Sequence, residues 1–170
     1  MEINLKNGID SLLFGMKQKD VEQLYGLPNK KFKDEDDNQI YLYNDKKLRL
    51  TFYADEDFKL GYIISSNPEN TLFNKKIIGE NVIKIKNQLP FKSWEIEDFD
   101  STENWESLLK YQPRSNVLEN SVWNEMLILN NDPDYANFAY NEMANRIQVT
   151  GPLPWDRPKD NKFWRDADTA

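Results

Sequence analysis

The side chains best suited to binding or catalysis lie at residues 94–106, in the stretch WEIEDFDSTENWE. It holds six carboxylates interleaved with aromatic side chains, and neither lysine nor arginine. Aromatic anchors bury area in protein interfaces, and carboxylates pair with the cations of a basic partner. The stretch therefore predicts a partner-binding surface. Its candidate contacts are Trp94, Glu95, Glu97, Asp98, Asp100, Glu103, Trp105 and Glu106.

Two other interpretations of this stretch stay open. Its acids could lie on a solvated strand edge whose aromatic side chains face the core. Two of the carboxylates could instead act as general acid and base in a carboxylate-dependent hydrolase, for example a glycosidase. That chemistry needs a cleft and a raised pKa on one of the two carboxyls.

A second acidic run, KDEDDNQ, spans residues 33–39. Adjacent carboxylates can bind a divalent cation, but a calcium loop alternates its ligands and needs a glycine and a terminal glutamate. Because that order is missing, we predict no metal site and interpret the run as a solvated connection between a helix and a strand. Asp34, Asp36 and Asp37 form the second set of candidate partner contacts.

The third candidate segment is the tail at residues 151–170, which carries three prolines and two tryptophans without a periodic apolar face. This composition predicts an extended segment. Trp155 and Trp164 are its candidate contacts. Whether the tail docks on its own domain or on a partner stays open.

The chain contains no His and no Cys. This excludes thiol nucleophiles, disulfides, imidazole catalysis and zinc sites built from these residues. Gly15 and Gly26 bracket a helix instead of clustering at its start, so they do not form a phosphate-binding loop. The serine–lysine letters SLLK at 107–110 lack their accompanying motifs. We predict a non-enzyme with no catalytic residue, no cofactor and no metal.

The formal net charge is −7 at pH 7. This charge repels phosphate backbones, so no nucleic-acid partner is expected, and it attracts basic proteins. Glu2, Lys6 and Asp10 interrupt any secretory apolar segment, and no apolar run approaches the length of a membrane span. We expect a cytoplasmic protein with no membrane partner.

Hydrophobic periodicity predicts an α+β fold. Apolar residues at helical spacing ahead of Gly26 and Pro28 predict a helix from about Lys17 to Tyr25, with Gly26 in the left-handed conformation at its end. Alternating residues then predict an antiparallel meander of three strands with turns at 44–47 and 54–57. The strands lie at about 40–43, 48–53 and 60–64.

A similar order begins again near residue 72. An amphipathic run ends at Pro90, and β-rich stretches follow at 93–99, 121–131 and 137–151. YNDKKLRL at 43–50 also resembles YNEMANRIQV at 140–149. We predict a single domain at 1–150. A duplication into halves 9–66 and 72–150 stays open, because unrelated hairpins often look alike.

The opening stretch LLFGMKQKDVEQLYGLP resembles the helix–meander unit of the β-lactamase-inhibitor-protein-like fold, which small outer-membrane assembly lipoproteins share. In those families a glycine and a methionine open the helix and a Gly-x-Pro ends it. The matching residues are Gly15, Met16, Val21, Leu24, Gly26 and Pro28, with Lys17 in place of the usual Ser or Thr cap. The resemblance covers about residues 12–66, with a fainter echo at 73–150.

A third group with a similar unit consists of cytoplasmic immunity proteins encoded beside bacterial toxins, many of them small, acidic and poor in Cys. The resemblance implies a protein of polymorphic toxin or contact-dependent growth inhibition systems. Such a protein would bind a cognate, basic toxin and cover its active surface. A carboxylate-dependent hydrolase and a cell-envelope assembly protein, which would need an export signal, are the alternatives.

Overall fold

The computed structural model of the protein describes residues 1–90, 95–98, 125–128, 138–141, 145–152 and 157–163. In these ranges the chain forms antiparallel sheets and two short helices, so the predicted α+β class is confirmed. The chain begins with a small three-stranded antiparallel sheet. Its strands are β1 (Ile3–Asn4), β2 (Gly8–Ile9) and β3 (Leu12–Leu13).

Helix α1 spans Gln18–Tyr25 and confirms the predicted helix. Lys17 is its N-cap without a side-chain cap bond, and the Asp20 carboxylate instead accepts the Lys17 backbone N–H at 3.0 Å. The predicted left-handed conformation of Gly26 was wrong, since its φ of 81° is combined with an extended ψ of −168°. This backbone leaves the Gly26 carbonyl free to accept the Tyr43 hydroxyl at 2.8 Å.

Four strands follow α1, not the three that were predicted. They are β4 (Lys30–Lys33), β5 (Gln39–Tyr43), β6 (Leu48–Tyr53) and β7 (Lys59–Ser65). The run at 33–39 is therefore a hairpin loop between two strands, and its interpretation as a helix–strand connection was wrong. Phe32 explains the extra strand, because it packs against Ile40 and Leu42 of β5 while the lysines beside it stay exposed.

A hairpin of β8 (Thr71–Leu72) and β9 (Lys75–Lys76) leads to α2 (Val82–Gln88). Four more strands follow, within the predicted β-rich stretches: β10 (Glu95–Asp98), β11 (Glu125–Ile128), β12 (Phe138–Asn141) and β13 (Arg146–Thr150). The eight-stranded sheet has the order β10-β11-β12-β13-β7-β6-β5-β4. Among the described elements, each helix is followed by four antiparallel strands of the large sheet, and the two sets meet at the β7–β13 pair.

The Tyr-Asn match does not follow this symmetry. It aligns the β5–β6 hairpin with β12–β13, whereas the strand order makes β7 the counterpart of β13. Tyr43 and Tyr140 do share a role, since each hydroxyl donates to a backbone carbonyl beside a helix, at Gly26 and at Glu80, both 2.8 Å away. A duplication of the sequence stays a prediction.

Both helices lie on one face of the large sheet. Val21 of α1 and Ile85 of α2 are fully buried in one cluster with Leu50, Ile63 and Ile147 of the sheet. The opposite face carries Ile40 and Leu42 together with two buried arginines, Arg49 and Arg146. No helix among the described residues is long and apolar enough to cross a membrane.

Candidate protein-binding surface

Two acidic hairpin loops lie at the same end of the large sheet. The β4–β5 loop covers residues 34–38 and the β6–β7 loop covers residues 54–58. Because neighbouring strands run antiparallel, the first and third connections of a meander fall on one side. We call the carboxylates of residues 34–37 and 55–57 the acidic rim.

Asn38 joins the two loops. Its side-chain Oδ1 accepts the backbone N–H of Ala54 at 2.9 Å, and its Nδ2 donates to Oδ2 of Asp34 at 3.1 Å. Asn38 is only 9% exposed, so these bonds are largely shielded from water. A buried, satisfied amide of this kind fixes the relative position of the segments it joins.

The Asp34 carboxylate stabilises its own loop. Its Oδ1 accepts the backbone N–H groups of Asp36 at 2.9 Å and Asn38 at 3.0 Å. With the Asn38 amide, three donors converge on this side chain, which is therefore engaged within the loop. The side chains of Asp36 and Asp37 are exposed and extend the negative surface outward.

The second loop begins with a 3-10 turn at Ala54–Glu56. Asp57 and Phe58 follow with φ of 58° and 56°, and the Phe58 N–H donates to the Tyr53 carbonyl at 2.8 Å. Asp55 and Asp57 are exposed, and Glu56 is half-buried. Burial raises the pKa of the Tyr53 hydroxyl to about 12, and carboxylates from both loops add to the rise. Carboxylates of both loops therefore lie close enough to Tyr53 to affect the pKa of its hydroxyl.

Two ion pairs tie the second loop to its surroundings. Lys17 Nζ lies 2.5 Å from Asp57 Oδ2, in a pair whose side chains are 42% and 77% exposed. The hydrogen bond from Lys17 and its charge lower the pKa of the Asp57 carboxyl below its ordinary value. Arg157 Nη2 lies 3.1 Å from Glu56 Oε1, and the Arg157 side chain is only 9% exposed. Asp57 is thus open to exchange with an outside cation, whereas Glu56 is held.

A cleft of about 760 Å³ opens between the start of α1, residues 55–59 and the tail. Four carboxylates, four cationic side chains, Gly15 and Phe163 line it. The lowered pKa of Asp57 is the opposite of what a general acid needs. Within the described ranges, no three acidic side chains converge as metal ligands would. The cleft therefore brings carboxylates and cationic side chains together.

The structure separates the residues that sequence reasoning proposed. Asp34, Asp36 and Asp37 lie in the acidic rim. Glu95, Glu97 and Asp98 belong to β10, at the other end of the strand order. Seven strand spacings separate β10 from β4, which corresponds to about 34 Å. The other proposed contacts lie outside the described residues: Trp94, Asp100, Glu103, Trp105, Glu106, Trp155 and Trp164.

The described part of the tail docks on its own domain. Asn161 is 1% exposed and donates to the Phe14 carbonyl at 2.9 Å and to Asn7 Oδ1 at 3.0 Å. Phe163 packs against the core cluster. The question of own domain or partner is therefore answered for residues 157–163.

Sequence reasoning missed Asp55, Glu56 and Asp57 as site residues, because it treated 54–57 only as a turn. The number of strands before this turn would have identified them as neighbours of the first acidic loop. With β4 recognised, the alternation of strand direction places this turn beside the acidic loop at 34–38.

No protein-family model and no curated protein matches the chain. Among solved structures, an extracellular protein containing an SCP domain from Bacillus anthracis str. Ames is similar, with a TM-score of 0.45 and 7% sequence identity. The similarity covers 87% of this chain and 47% of that one, so the chain spans about half the length of that protein. A similarity this weak carries no argument about function.

Proposed function

We propose that the chain is an immunity-type binding protein that neutralises a basic bacterial toxin by covering its active surface. The acidic rim is the proposed contact. The observation that carries the proposal is the Asn38–Ala54 bond of 2.9 Å, which presents the carboxylates of two loops as one negative surface.

The exposed carboxylates of the rim suit a basic partner. Asp36, Asp37 and Asp55 are exposed, and Asp57 pairs with Lys17, whose side chain is itself 42% exposed. Carboxylates held at fixed positions steer a cationic partner and pair with it at little ordering cost. Asp34 and Glu56 contribute charge to the field while they keep the loops in place.

The immunity assignment adds a specific partner to this surface. It is supported by the resemblance of residues 12–66 to immunity proteins, which includes α1, its terminal Gly26 and the strands that follow. Cytoplasmic location belongs to the same proposal, since an immunity protein meets its toxin inside the producing cell. The acidic stretch at 94–106 is a second proposed contact, and its described strand β10 lies at the opposite edge of the sheet from β4.

Co-purification tests the proposal. The chain, carrying an affinity tag, is expressed together with the product of the adjacent upstream gene, and we expect a complex that dissociates at high salt. Expression of the neighbour alone should arrest growth, and this chain should restore it. Healthy cells without this chain, or no complex at low salt, would contradict the immunity assignment.

A further inference from the structure

Residues 157–163 cross the domain next to the β6–β7 loop, and we call residues 54–58 of this loop the acidic turn. The tail leaves β13 at Gly151, whose N–H donates to the Gly61 carbonyl at 2.7 Å. Asn161 then fixes the chain through its two bonds to Phe14 and Asn7. Arg157 lies between these points and reaches Glu56, 101 positions away in sequence. We call residues 157–163 the strap.

The acidic turn needs restraint from outside itself. Asp57 and Phe58 both adopt a positive φ, a backbone conformation that residues other than glycine rarely adopt. The Lys17–Asp57 pair is exposed, and exposed pairs contribute little. The Arg157–Glu56 pair is the shielded one, because the Arg157 side chain is 9% exposed and Glu56 34%.

The strap also reaches the turn by a second route. Asn161 bonds the carbonyl of Phe14, and the next residue, Gly15, donates its N–H to the Leu60 carbonyl at 2.9 Å. Leu60 in turn donates to the Met16 carbonyl at 2.8 Å, just after the turn. The strap therefore contacts the acidic turn directly through Arg157, and indirectly through the hydrogen bonds that begin at Asn161.

We propose that the strap holds the acidic turn in its binding conformation, and that Arg157 is the positioning residue. The consequence for partner binding rests on the proposed function, whereas the restraint itself does not. Arg157 pairs with Glu56, and the side chains of Asp55 and Asp57 in the same turn are exposed to a partner. A protein without this pair would present the same carboxylates on a loosened turn.

Amide hydrogen exchange of the free, full-length protein tests the restraint. The reporter is the Phe58 N–H, which bonds the Tyr53 carbonyl across the turn. We expect Arg157→Ala to accelerate its exchange at least tenfold. Lys159→Ala is the matched control, because it removes an exposed cation from the same strap and should leave the rate unchanged. Unchanged exchange in Arg157→Ala, or equal acceleration in the control, would overturn the proposal.

A second variant keeps the test valid if Arg157→Ala unfolds. Glu56→Gln preserves shape and removes the charge, so it should also accelerate exchange at Phe58. The amides of Ile63 and Ile64 in β7 should stay protected. Equal acceleration at those amides would show general destabilisation and reject a specific restraint.

Partner binding is read separately. When binding to the product of the adjacent upstream gene is measured, Arg157→Ala should weaken the affinity several-fold, whereas Lys159→Ala should not. If the exchange result holds but charge reversal on the rim leaves binding unchanged, the strap stands and the proposed binding surface fails. If reversal weakens binding while exchange at Phe58 is unaffected by Arg157→Ala, the strap fails alone.

Discussion

The side-chain oxygen of Asn38 accepts the backbone N–H of Ala54 at 2.9 Å, although 16 positions separate the two residues. This bond links the loop after β4 to the loop after β6. The antiparallel order of the sheet places these loops side by side, and the bond fixes their spacing. An acidic run and an acidic turn thereby become one surface.

Asn38→Ala should lower the free energy of unfolding by about 1–3 kcal/mol, because the part-buried Ala54 N–H loses its acceptor and the Asp34 carboxylate loses one of its three donors. Urea denaturation measures the change. Asn87→Ala, at an exposed position in α2, is the control and should shift stability by less than about 0.5 kcal/mol. Equal effects of the two substitutions would deny the bond its structural role.

Gly26→Ala should destabilise the protein by about 1–3 kcal/mol through backbone strain alone. A Cβ at this position would meet nothing within 4 Å, so steric overlap cannot account for a loss. The φ of 81° with ψ of −168° is a conformation that alanine does not readily adopt. Thermal unfolding of the variant measures the cost, and an unchanged midpoint would show that the helix end tolerates a side chain.

The free energy of unfolding should fall at alkaline pH because several tyrosine hydroxyls are shielded from water in the folded protein. Burial raises the pKa of Tyr25, Tyr43 and Tyr53 to about 12, against about 10 in an unfolded chain. Between these values the unfolded state has lost protons that the native state retains, so stability is full below about pH 10 and falls as pH rises toward 12. Urea melts at pH 9 and pH 11, with phenolate absorbance followed in parallel, measure this. Titration of all eight tyrosines near pH 10 in the folded protein would contradict it.

Lys17→Ala should raise the pKa of the Asp57 carboxyl toward its ordinary value, because the hydrogen bond and charge of Lys17 now lower it. Carbon-detected NMR of the Asp57 carboxyl across acidic pH gives the result directly. Lys47→Ala provides an exposed control at the opposite end of the sheet. An Asp57 pKa that does not move would mean that the pair at 2.5 Å does not persist in solution.

The parts of the fold that sequence reasoning predicted have local signals. Helix α1 shows an apolar period that stops at Gly26, β6 alternates apolar and polar residues, and β5 and β7 are rich in Ile, Leu and Tyr. Strand β4 lacks such a signal because three of its four residues are lysines. Lysines protect an exposed sheet edge from other strands, so the residues that suit this position also hide the strand.

The candidate site was predictable only in pieces. Asp34, Asp36 and Asp37 were proposed from their charge, but their neighbours at 55–57 depend on strand order, which no local pattern reports. The Asn38–Ala54 bond and the Arg157–Glu56 pair join residues distant in sequence. Such contacts depend on tertiary packing. Many acidic and polar residues of the chain could pair with Arg157 or Ala54, and the sequence alone does not show which of them does.

Charge reversal on the acidic rim tests whether its carboxylates bind the toxin. Calorimetry of the toxin with Asp36→Lys/Asp55→Lys should show affinity reduced about tenfold or more and a weaker dependence on salt, since two carboxylates that face the cationic partner are reversed. Asp45→Lys/Glu69→Lys is the matched control, with the same change in net charge at exposed positions away from the rim, and should bind within about threefold of the unmodified protein. Full affinity in the rim variant, or an equal loss in both variants, would show that the acidic rim is not the binding surface.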